Sequence, residues 1–69
     1  MNLDESLKAL SNHESFASFI FMIRDLREEC IEELHNAEFE KIQQLSGRII
    51  TYDQILKIAN IKLLEKRFG

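Results

Sequence analysis

Four glutamates, Glu28, Glu29, Glu32 and Glu33, lead up to His35, and the chain's single cysteine, Cys30, lies among them. Carboxylates four residues apart share one side of a helix. The Glu-x-x-His step made by Glu32 and His35 is one part of the ligand set with which helical bundles hold paired metal ions. That chemistry needs a second such step on a facing helix, and the chain has no other copy. The acidic run is therefore read as a solvated face rather than a metal box. Cys30 would act as a nucleophile only beside a base, and none is placed near it, so it reads as a small apolar core residue. One cysteine makes no internal disulfide, and with His13 and His35 far apart it makes no zinc site. No catalytic residue, metal or cofactor is expected, and the chain reads as non-enzymatic.

The elements carrying these residues are helical. There is no proline and only two glycines in 69 residues, the composition of a chain that excludes the residues helices reject. A chain this short forms one small domain, whose core rarely supplies more than about 3–5 kcal/mol unaided. The N-terminus is acidic where a secretory signal would be basic, and the longest apolar run, Phe19 to Ile23, is too short to cross a bilayer. An intracellular protein without membrane association is expected.

The spacing predicts an all-α fold, an antiparallel helical hairpin with a short N-terminal helix. Leu3, Leu7 and Leu10 recur at helical spacing behind Asn2, giving a first helix over 3–10 with an asparagine cap. Ser11 and Glu14 fit the capping box that opens a helix. The second helix, 13–36, carries Phe16, Phe19, Ile23, Leu26 and Cys30 at steps of three and four, with Ile20 and Leu34 widening the stripe. The third, 38–64, carries Ile42, Leu45, Ile49, Tyr52, Leu56, Ala59 and Leu63, a seam of three heptads, and leaves 65–69 as a tail. The two stripes fall out of register when extended through Asn36. The chain is therefore expected to turn there, with Asn36 taking the left-handed conformation that ends a helix. Folding at 36–38 sets Cys30 near Leu45, Leu26 near Ile49 and Phe19 near Leu56.

Three positions bear on how the hairpin is held. Arg27 falls on the buried face, where it either snorkels to the rim or meets a carboxylate, Asp53 across the hairpin or one on a partner. Asp53 could equally meet Arg24. Gly47, inside the third helix at a cost of about 1 kcal/mol relative to alanine, marks either close approach of another backbone or a neutral site.

Phe21, Met22, Ile50, Ile55, Ile58 and Ile61 lie off both seams, and Leu64 and Phe68 belong to a mixed basic and apolar C-terminal segment. Two helices cannot bury them all. The short first helix could cover some; the rest is the expected partner-binding surface. Residues 1–41 hold four basic against ten acidic residues, a net of −6, and residues 42–69 hold five against two, a net of +3. Segments of opposite sign attract, within one chain or between two. Two short basic clusters in a chain of net −3 argue against nucleic acid as the partner.

The stretch from Ser15 to Leu56 resembles a group of short proteins encoded by tailed bacteriophages. In these a helix of the form L-R-E-x-x-x-x-x-L, here Leu26, Arg27, Glu28 and Leu34, precedes a turn and a helix of the form I-x-x-L-x-G-R-I, here Ile42, Leu45, Gly47, Arg48 and Ile49. The turn departs from the group's acidic, often proline-bearing version, since it reads Asn36-Ala37-Glu38-Phe39. The resemblance implies a non-enzymatic protein of the structural gene set, in the host cytoplasm or the virion, associating with itself or with a head, portal or tail component. Two alternatives stay open: a phage-encoded regulator that binds and inhibits a host enzyme, and a small helical module that binds nucleic acid.

Overall fold

The computed structural model describes residues 2–69. They form four helices, α1 (Leu3–Leu10), α2 (Glu14–His35), α3 (Phe39–Ala59) and α4 (Ile61–Phe68), with no strand among the described residues. Asn2 opens α1 as its residue type requires: its Oδ1 accepts the Glu5 amide at 2.8 Å, satisfying a donor the helix itself leaves unpaired. Ser11 does not open α2. It closes α1 instead, and its hydroxyl donates back to the Leu7 carbonyl at 2.7 Å. The N-cap of α2 is His13, without a side-chain cap bond. A serine hydroxyl can bond backward into the preceding turn as readily as forward into the next, and here the backward bond forms, so the expected capping box is not made.

The chain turns at residues 36–38, and α2 packs antiparallel on α3. Asn36 is not left-handed (φ −117°, ψ 8°). α2 ends in a tightened turn, with the Asn36 amide on the Glu33 carbonyl at 3.1 Å. Extended Glu38 then starts α3, its carbonyl accepting the amides of Lys41 and Ile42. The left-handed asparagine is Asn60 (φ 56°, ψ 64°). It ends α3 five residues before the expected limit at 64, and residues 61–68, expected to be helix end and tail, form α4. The reason is one of length. With 22 residues in α2 and 21 in α3, α3 runs out of α2 surface at its end, and a helix continued past Asn60 would hold Ile61 and Leu64 in water. Turning at Asn60 lays α4 back on α2.

Ala17, Ile20 and Ile23 of α2, Leu56 and Ala59 of α3 and Leu64 of α4 make the core, with Phe16, Phe21, Leu26, Tyr52, Ile55 and Ile61 packed around it. Cys30 and Leu45 are buried nearer the turn. The face α2 buries is rotated from the expected stripe towards Ala17 and Ile20, because α4 covers that side; Phe19 is thereby turned out to solvent, and Ile42 of α3 is exposed as well. α1 buries no side chain. The element that covers off-seam residues is α4, not the first helix.

The molecule is a thin slab of 43 × 25 × 15 Å with a radius of gyration of 14.0 Å, against about 11 Å for a compact domain of this length. Its accessible surface is 5410 Å², against about 4500 Å² for a compact monomer of its mass.

Candidate interaction surface

One broad face of the slab carries the ion pairs that join α2 to α3 and to α4. Arg27 Nε donates to Asp53 Oδ1 across the hairpin through a single nitrogen, which decides between snorkelling and pairing in favour of the pair. Arg24 bridges to Glu65 of α4 at 3.4 Å and stacks its guanidinium 4.8 Å from the Phe21 ring centroid. Arg24, Arg27, Asp53 and Glu65 line one groove with Leu56, Lys57 and Ile61. Arg67 Nη1 donates to the Ser11 carbonyl at 3.3 Å and to Asn12 Oδ1 at 2.9 Å, tying the end of α4 to the corner between α1 and α2.

The eight residues expected to bind a partner divide. Leu64 is fully buried, at 0% exposure, and is a core residue rather than a contact for another molecule. Ile61 and Ile55 are half-buried against the core, and Phe21 is half-buried beneath Arg24. Met22, Ile50 and Ile58 are open, and Phe68 is at the margin of exposure. Gly47 touches no other backbone: a Cβ placed there would meet nothing within 4 Å, so close approach is not its reason.

Two apolar surfaces emerge, on opposite faces. At 100° per residue, Phe19, Met22 and Leu26 lie about 140–160° round α2 from Arg24, and Ile55 and Ile58 lie about 140–160° round α3 from Asp53. They form the face away from the locked groove, with Phe19 52% and Met22 48% exposed. The second surface lies on Asp53's side of α3, nearer the turn, where the groove shared with α4 has ended. There Phe39 is 78% and Ile50 58% exposed, with Ile42 beside them. Phe19, Phe39 and Ile42 were not among the expected contacts. Phe19 and Ile42 sat on the stripes read as internal seams, whereas Phe39, an aromatic on the first turn of α3, carried the signal of a surface anchor.

Around the turn, Glu32 and His35 are exposed without a second step opposite them, and the described residues contain no group of three or more His, Cys, Asp or Glu placed to hold a metal. Cys30 is a free, buried thiol. No helix among the described residues is long and apolar enough to cross a membrane. No protein family, curated protein or solved structure matches the chain.

Proposed function

We propose that the chain is a non-enzymatic assembly protein, a helical hairpin that joins itself or a larger protein structure through its apolar faces. The observation that carries this reading is the pair of uncovered surfaces on opposite sides of one thin slab, Phe19 with Met22 and Phe39 with Ile50. Large apolar side chains gathered in a patch normally mean a protein partner, and two patches on opposite faces suit a piece placed between neighbours. The resemblance to short tailed-phage proteins supports a place in a virion, on a head, portal or tail component. The test is mass spectrometry of purified particles made with an epitope-tagged copy of the chain. Recovery at a fixed number of copies per particle is expected. Particles without the chain, together with stoichiometric recovery on a single host enzyme, would replace this reading with that of a host-directed inhibitor.

A further inference from the structure

We infer that the face bearing Phe19, Met22 and Leu26 of α2 and Ile55 of α3 seats a second copy of this chain, and that the pair is two-fold with both turns at the same end. The inference rests on the reading of the chain as an associating hairpin and names the first partner. A helical domain is ordinarily two layers around a shared core. Here one layer is present, capped by α4 on one face only. The surface exceeds that of a compact monomer by about 900 Å², close to the roughly 800 Å² each partner contributes to a standard stable interface. Laying the bare face of one slab on that of another supplies the missing layer.

Charge selects the arrangement. A two-fold axis across the helices would lay α2 on α2 and α3 on α3, like on like, with the turns at opposite ends. An axis along the helices lays α2 of each copy on α3 of the other, with the turns together. On the bare face the turn-end half of α2 carries Glu29 and Glu33, and that of α3 carries Lys41 and Arg48. None of these four takes part in the ion pairs found among the described residues, Arg24–Asp25, Arg24–Glu65 and Arg27–Asp53. α2 ends at His35 and α3 starts at Phe39, so these two residues stand roughly level at the turn. At 1.5 Å per residue, Glu29 and Arg48 are then level to within about one turn. Only the turns-together arrangement brings the acids of one copy over the bases of the other.

Sedimentation of the full chain should give twice its 8.1 kDa mass. Met22→Glu should weaken association at least tenfold without loss of helix, while Ile50→Glu on the other face should leave it unchanged. Glu29→Arg should weaken the pair and Glu29→Arg with Arg48→Glu should restore it. Spin labels on Glu38→Cys, with Cys30→Ala, should lie within about 30 Å of each other, whereas opposed turns would separate them by about the 43 Å length of the slab. A monomer at 100 μM, a dimer indifferent to Met22→Glu, or labels at the longer distance would each overturn the inference. A monomer still found on particles would remove the dimer and leave the assembly role, and a dimer absent from particles would do the reverse.

Discussion

Arg27 and Asp53, twenty-six residues apart in sequence, meet across the seam of the hairpin. Both side chains keep a third to a half of their surface in water. A partly exposed ion pair is worth little in free energy, about 0.2–1 kcal/mol by double-mutant cycles. Arg27→Ala, Asp53→Ala and the double variant, compared by urea unfolding, should give a coupling in that range. Additive losses would mean that apolar packing alone sets the register.

Leu64 anchors α4. It is the one large side chain fully shielded from water, and truncating a buried leucine costs about 2–5 kcal/mol. In so thin a slab that approaches the whole stability. Leu64→Ala should lose cooperative unfolding by circular dichroism, or shift its midpoint by well over 10 °C, whereas Phe68→Ala, four residues on and 36% exposed, should shift it by clearly less. Equal effects would mean that α4 is not held by its buried leucine.

Asn60 alone among the described non-glycine residues has a positive φ. A side chain with a Cβ is strained there, asparagine less than most and glycine not at all. Asn60→Ala should destabilise by about 1 kcal/mol, and Asn60→Gly should stay within about 0.5 kcal/mol of the parent. Asn36, with negative φ, should tolerate alanine within about 0.5 kcal/mol. Thermal unfolding of the three variants checks the contrast, and a larger loss at Asn36 than at Asn60 would contradict it.

The same two asparagines show what was legible in the sequence. The hairpin was readable because the stripes on either side of Asn36 differ in register, which one straight helix cannot satisfy. Which asparagine takes the left-handed state was not, because that depends on where α3 runs out of α2 to lie on, a matter of tertiary length. The heptad through Leu56, Ala59 and Leu63 continues across Asn60 without a fault, so periodicity hides the break. Leu64 and Ile61 were therefore assigned to the surface although α4 carries them inward. Phe19 went the other way, since a helical stripe read without its neighbours is uncertain by roughly one residue, or about 100° of rotation. Met22, Ile50 and Ile58 lie far enough from any seam for their expected exposure to survive that error.

Gly47 sits within α3 with helical backbone and open space where a side chain would be. Nothing in the monomer requires glycine there. Gly47→Ala should stabilise the isolated chain by about 0.5–1 kcal/mol through the better helix propensity of alanine, read as a higher urea midpoint at unchanged slope. A loss of stability would mean that the position is in contact with something the single chain does not contain.

Arg67 is the tie that holds the first helix. α1 buries none of its side chains, so its order depends on its own caps and on the corner at Ser11 and Asn12, which Arg67 grips from the end of α4. Charge-assisted hydrogen bonds to a backbone carbonyl are worth about 1.5–3 kcal/mol where buried, and these are partly exposed, so about 1 kcal/mol is expected. Arg67→Gln should speed amide hydrogen exchange in α1 by about five- to tenfold while leaving the amides of Ile20, Ile23 and Leu56 unchanged, because local opening at a frayed end is independent of the core. Uniform acceleration through all four helices would show that Arg67 supports the whole bundle. Unchanged exchange in α1 would show that the corner holds without it.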